Sequence, residues 1–378
     1  MINRKIADEL INNLNSGKVL IIYGPRQVGK TTLLLELSAK INKKIIWLNG
    51  DEPDIRAILD NATSTKLRTI INDNEIVIID EAQRIVNIGM VLKLKHDNIK
   101  KINLIATGSS SFDLSNNINE PLTGRKFEYN LYPLSFQEMV EHHGILEEKR
   151  LLEHRLIFGY YPEIVTSEGD KSKLLINLSN SYLYKDLLIY DAIKKPSLLE
   201  KILKSLALQV GCEVNYNELS NQLQCDKGTV EKYIDLLEKV FVIFRLHSYS
   251  KNIRTEIKKS KKVYFFDNGI MNAITGNFNP IERRNDIGAL WENFCVSERK
   301  KFNSNNNRRV NAYFWRTKTQ QEIDYIEIEN DKFFAYEFKW NPTSKGKFTK
   351  SFFESYDVTV SKTINRENYL EFTAGINF

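Results

Sequence analysis

Gly24-Pro25-Arg26-Gln27-Val28-Gly29-Lys30-Thr31 sets a glycine-bounded loop directly before a lysine and a threonine, with Thr32 next in line. That spacing suits phosphate oxygens. The glycines let the backbone wrap closely, so that its N–H groups and the first turn of a following helix face the anion. Lys30 then reaches the terminal phosphates of a nucleoside triphosphate, the Thr31 hydroxyl binds its Mg2+, and Thr32 contacts the α-phosphate.

A second set of residues complements the first. The apolar run Ile76-Val77-Ile78-Ile79 ends in Asp80-Glu81. Asp80 is expected to hold Mg2+ through water, and Glu81 to polarise the attacking water, the general-base role that hydrolysis needs. Thr107, in Thr107-Gly108-Ser109-Ser110-Ser111, follows another apolar run. A hydroxyl there senses the γ-phosphate at the carboxyl edge of a sheet; a plain serine-rich turn is the alternative. Arg125, in Leu122-Thr123-Gly124-Arg125, either neutralises transition-state charge, in its own chain or from a neighbouring subunit, or forms a structural ion pair.

The elements that must carry these residues follow from periodicity. Short runs rich in Ile, Leu and Val at 18–23, 44–48, 75–80 and 102–107 alternate with helical stretches, one of them Lys30–Lys40. That is the pattern of a parallel sheet covered on both faces. From Ser135 to about Lys195 the pattern turns helical, punctuated by Pro133, Pro162 and Pro196, which predicts a helical lid. Between 198 and 264 a helix, a turn and a helix precede strand-like runs at 240–246 and 262–266, the order of a winged helix. Its first helix falls at 217–223, Asp226 caps the second, and the recognition helix spans 227–239. Lys227, Thr229, Lys232 and Tyr233 are expected on its exposed face toward DNA, although Glu231, Asp235 and Glu238 repel phosphates, and such modules also dock protein.

The last stretch offers a helix at 289–302 and strands at 312–315, 322–327, 333–340 and 358–360, with the asparagine-rich 303–307 as a mobile loop. Glu292 lies on that helix, Asp324 at a strand, and Glu337 and Lys339 two apart on the next strand, hence on one face. Glu337 and Asp324 suit a divalent metal with Glu292 as the helical acid, while Lys339 orients a water for phosphodiester attack. The alternative is an ordinary acid–base pair on a strand.

The length of 378 residues calls for several modules, and the composition is that of folded protein, with a net charge of +6. Lys251, Arg254, Lys258, Lys259, Lys261 and Lys262 form a basic run that meets nucleic-acid phosphates or simply faces solvent. Cys212, Cys225 and Cys295 have neither disulfide nor zinc-ligand spacing. No apolar run approaches membrane-spanning length, so a cytoplasmic location without membrane contact is expected.

Together with Asp80-Glu81-Ala82-Gln83, Leu131-Tyr132-Pro133-Leu134-Ser135-Phe136, Phe265-Phe266-Asp267-Asn268-Gly269 and Gly288-Ala289-Leu290-Trp291-Glu292-Asn293, these motifs resemble the AAA-like ATPases that pair an N-terminal ATPase domain with a C-terminal DUF4143 region. The resemblance spans nearly the whole chain. It implies ATP and Mg2+ as cofactors, ATP hydrolysis, and a C-terminal half similar to a winged helix followed by a restriction-endonuclease-like fold of the PD-(D/E)XK type. The expected architecture is α/β: a P-loop ATPase core at 1–134, a helical lid at 135–196, a winged helix at 197–266 and the nuclease-like domain at 267–378. One functional reading is an ATPase acting on or regulated by duplex DNA, working as a homo-oligomer, with metal-dependent cleavage added. The other is an ATP-dependent switch whose C-terminal half docks protein and cleaves nothing.

Overall fold

The computed structural model describes residues 2–109, 118, 122–188, 195–250, 261–317 and 319–376, with backbone alone for 181–188. Ser110, Ser111, Lys251, Arg254, Lys258 and Lys259 lie outside the described residues. The chain divides into two units. One comprises the residues up to Pro133 with Lys239–Phe241, the other Leu134–Glu238 and the chain from Val242 onward.

The first unit is built on parallel strands β1 (Val19–Tyr23), β2 (Ile45–Asn49), β3 (Ile76–Asp80), β4 (Asn103–Gly108) and β5 (Lys126–Asn130), in the order β2-β3-β4-β1-β5. Every residue of β1 and β3 is buried, so both faces of the sheet are covered, as the unbroken apolar runs predict. Helices α1 (Ile6–Asn13), α2 (Lys30–Lys40), α3 (Pro53–Leu59), α4 (Ser64–Ile71) and α5 (Ile88–Asn98) belong to the same unit. Alternate strand residues Leu20, Ile22, Ile76 and Ile78 pack with Leu33, Leu34 and Leu37 of α2 and Leu10 of α1. Burying each such side chain contributes roughly 1.5–3 kcal/mol, which fixes α2 against the sheet. The register pairs Tyr23 with Gly108 and Asn49 with Asp80, so the carboxyl ends of these strands align along one edge.

In the second unit, α6 (Phe136–His143), α7 (Ile145–Arg150), α8 (Leu152–Phe158), α9 (Pro162–Thr166) and α10 (Lys171–Leu188) fall in the stretch read as helical, and α11 (Pro196–Leu208) follows. Strand β6 (Glu213–Val214), α12 (Tyr216–Gln222), α13 (Lys227–Lys239), β7 (Ile243–Ser248) and β8 (Lys261–Phe265) follow. The remainder is α14 (Asn268–Thr275), α15 (Ile287–Asn305), β9 (Asn311–Arg316), β10 (Glu322–Glu329), β11 (Lys332–Phe338), α16 (Lys350–Ser355), β12 (Val358–Ile364) and α17 (Tyr369–Ala374). One sheet, ordered β12-β11-β10-β9-β7-β8-β6, runs through both parts. Its seam is the parallel pairing of His247 and Ser248 on β7 with Tyr313 and Phe314 on β9.

The asparagine-rich stretch departs from expectation. Instead of a loop at 303–307, α15 continues through Asn305. Side-chain hydrogen bonds replace the helical propensity that asparagine lacks: Asn303 donates to Glu327 and Asn305 to Ser135.

Candidate functional site

Gly29, at φ 94°, leads into α2, a backbone region that favours glycine. A Cβ on Gly24 would lie 2.3 Å from the Leu131 carbonyl oxygen, so the loop passes against the segment after β5 too closely for any other residue. Buried Arg4 clamps that arrangement, donating to the carbonyls of Val28 (2.9 Å) and Tyr132 (2.6 Å). The Lys30 ammonium folds over the loop and donates to the carbonyls of Gly24 (2.9 Å) and Pro25 (3.0 Å).

Strands β3 and β4 bring the other groups to the same edge. Thr31 donates its hydroxyl to Asp80 Oδ2 at 2.7 Å, and Thr107 donates to Asp80 Oδ1. The Glu81 N–H points at both Asp80 Oδ1 (3.2 Å) and Thr107 Oγ1 (3.1 Å). Glu81 itself has φ 49°, a strained left-handed backbone of the kind that clusters at functional sites. Gln83 fixes its side chain, donating to Glu81 Oε2 at 2.5 Å and to Ser109 Oγ at 3.0 Å. The Gln83 Oε1 atom is buried with no hydrogen-bond partner among the described residues. Thus Lys30, Thr31, Asp80, Glu81 and Thr107 converge, and Gln83 and Arg4, to which the sequence reading assigned no role, support them. Ser109, which anchors Gln83, and both carbonyls that Arg4 reaches arrive from distant parts of the chain, so spacing carried no signal for them.

Arg125 is not brought there. Its carbonyl accepts from Val19 N–H, at the start of β1, whereas the loop follows the end of that strand. Five residues of strand separate the two edges, about 15 Å. Arg125 instead pairs with Asp97 at 3.0 Å, so within its own chain the ion-pair reading is the one observed.

In the second unit, Asp324 and Glu337 stand side by side. Asp324 N–H donates to Glu337 Oε1 at 3.4 Å, Phe338 N–H donates to Asp324 Oδ2 at 3.0 Å, and Lys339 Nζ lies 3.2 Å from Glu337 Oε2 and 3.6 Å from Asp324 Oδ2. Burial, and next the neighbouring Asp324 charge, raise the Glu337 carboxyl. Glu292 is held by Tyr264, whose hydroxyl donates to Oε1 at 2.7 Å, and by Lys262 Nζ at 3.3 Å. Burial pushes its carboxyl up to about 7 against the pull of Lys262. Lys262, expected on a basic surface, is buried. Among the described residues no three His, Cys, Asp or Glu side chains form a metal-ready group.

On α13, Lys227 and Lys232 are exposed but so is Glu231, and Thr229 is half-buried. Tyr233, expected at the surface, is buried, and its hydroxyl accepts from Lys195 N–H at 3.3 Å. Its ring belongs to the apolar stripe that holds α13 down with Val230, Ile234 and Leu237.

Two further motifs meet each other. Asp267 accepts from Ile270 N–H (3.1 Å) and Tyr160 N–H (2.6 Å), while Asn293 donates to Asn268 Oδ1 at 2.7 Å and accepts from Phe265 N–H at 2.7 Å. The two motifs around 265–269 and 288–293 therefore interlock. Among the described residues no helix is long and apolar enough to cross a membrane.

Residues 16–140 match the family model described as AAA domain, 149–281 a domain of unknown function, DUF8612, and 287–370 another, DUF4143. An uncharacterized protein of Methanocaldococcus jannaschii is 26% identical over 377 residues, 93% of this chain and 81% of that one. One from Mycobacterium tuberculosis is 26% identical over 353 residues, 92% of this chain and 76% of its own. The solved Walker-type ATPase PABY2304 of Pyrococcus abyssi aligns with 72% of this chain and 96% of its own, at 15% identity and a TM-score of 0.49. An AAA domain match in the N-terminal part is thus followed by a DUF4143 match in the C-terminal part, the pairing that the motifs of this chain resemble.

Proposed function

We propose that this chain binds Mg·ATP, hydrolyses it, and uses the nucleotide state as a switch for a partner held by its second unit. The convergence of Thr31 and Thr107 on Asp80, with Glu81 fixed beside them, carries the reading. The residues fit the cofactor. Lys30 donates to carbonyls of its own loop, Gly29 opens α2, and the hydroxyl–carboxylate pair Thr31–Asp80 is the donor set a hard cation takes. The backbone from Gly24 to Thr32 and the Lys30 ammonium would hold the phosphates, and Thr31 and Asp80 the Mg2+. Bound Mg·ATP supplies the labile phosphoanhydride and neutralises its charge. Glu81 takes the proton of the attacking water, Thr107 orients Asp80, and Gln83 keeps the Glu81 carboxylate aimed.

Of the two partner classes, duplex DNA and protein, α13 favours protein. Its exposed face mixes Lys227 and Lys232 with Glu231, and Tyr233 is withdrawn. A face of mixed sign gains little from the phosphate backbone. ATP hydrolysis by wild type and Lys30→Ala, with and without duplex and single-stranded DNA, tests both statements. Loss of hydrolysis in Lys30→Ala together with indifference to DNA is expected. Undiminished hydrolysis in the variant overturns the catalytic assignment, and salt-sensitive stimulation by DNA restores the DNA reading.

A further inference from the structure

The acidic constellation of the second unit already contains a cation. Lys262, on β8, is 2% exposed, yet its ammonium meets two carboxylates, Glu322 Oε1 at 2.6 Å and Glu292 Oε1 at 3.3 Å. Tyr264, on the same face of the strand, closes Glu292 with its hydroxyl at 2.7 Å. Arg316 takes the other Glu322 oxygen at 3.4 Å, and Lys339 spans Glu337 and Asp324. Every acid of the set thus faces a protein donor.

We propose that the Lys262 ammonium occupies the position a divalent ion would take beside Glu292, so that the nuclease-like constellation is closed by an internal cation and takes up no metal. A divalent cation needs carboxylate oxygens free to face it at about 2.0–2.6 Å. An ammonium already within hydrogen-bond reach of those oxygens excludes it sterically and by like charge. The substitution is possible because β8 and β10 share one sheet, which sets the lysine of one part against the acids of the other.

Manganese binding by the full-length, nucleotide-free protein, followed by electron paramagnetic resonance of free Mn2+, tests this. The wild type and Asp324→Asn should take up Mn2+ equally weakly. Lys262→Met, which keeps the stem's bulk without its charge, should bind at least about tenfold more tightly, and adding Asp324→Asn to that variant should abolish the gain. Wild-type binding that Asp324→Asn removes overturns the proposal, whether or not Lys262→Met folds. A folded Lys262→Met, judged by circular dichroism, that gains no Mn2+ overturns it too.

Discussion

Glu81 is constrained twice, through its left-handed backbone and through the hydrogen bond from Gln83. Glu81→Gln should lower hydrolysis on the order of 10²–10⁴-fold while nucleotide binding persists, measured by phosphate release and by equilibrium binding of a fluorescent ATP analogue. Gln83→Leu removes the aim of that carboxylate together with the hydrogen bond to Ser109. It should lower kcat about tenfold and leave KM nearly unchanged, since a hydrogen bond to a charged group contributes about 1.5–3 kcal/mol; a matching rise in KM would instead place Gln83 in binding. Asp80 and Glu81 were legible in the sequence because two acids end an apolar strand, a pattern with few structural uses. Gln83 was not, because Ser109 reaches it from another strand. Lys262 misled for a related reason: a basic run reads as surface until the acids that enclose one of its members are known.

At the scale of elements, β2 is followed by Gly50, whose N–H donates to the Asp80 carbonyl and where a Cβ would lie 2.4 Å from the Glu81 carbonyl oxygen. Gly50→Ala should therefore destabilise the first unit by about 1–3 kcal/mol in denaturant unfolding and depress hydrolysis without touching nucleotide. Helix α5 carries a pH dependence. Burial lowers the Lys95 amine from 10.5 to about 8, although it donates to the Ile102 carbonyl. Between those values the unfolded chain binds the extra proton, so this residue's contribution to stability rises with pH and is lost as pH falls through 8. The stability difference between wild type and Lys95→Met, from urea unfolding at pH 7.5 and 10, should move in favour of wild type at the higher pH. Four sheet strands of the first unit were evident as apolar runs. Strand β5 was not, because Lys126, Glu128 and Asn130 alternate with Phe127 and Tyr129 at the edge of the sheet, where half the residues meet water.

For the whole molecule, the division into two units predicts where ligand stabilisation appears. At a hundredfold excess over Kd, Mg·ATP on Glu81→Gln should add about 2.7 kcal/mol by mass action. Hydrogen exchange should show the gain first in β1, α2, β3 and β4; unchanged exchange there would remove the nucleotide from this site. The order of motifs along the chain points to the same pairing as the AAA domain and DUF4143 matches, but their physical meaning lies in contacts such as Asn293 with Asn268 and Phe265. The sheet that joins β7 to β9 has a bearing on ancestry. The DUF8612 match ends at 281 and the DUF4143 match begins at 287, yet the strands on either side of that gap are laddered together. A genetic exchange that replaced one region and not the other would expose two raw strand edges, each a template for clumping. The boundary between the two matches is therefore not a boundary in the sheet, and cutting the chain there should leave neither part with a finished edge.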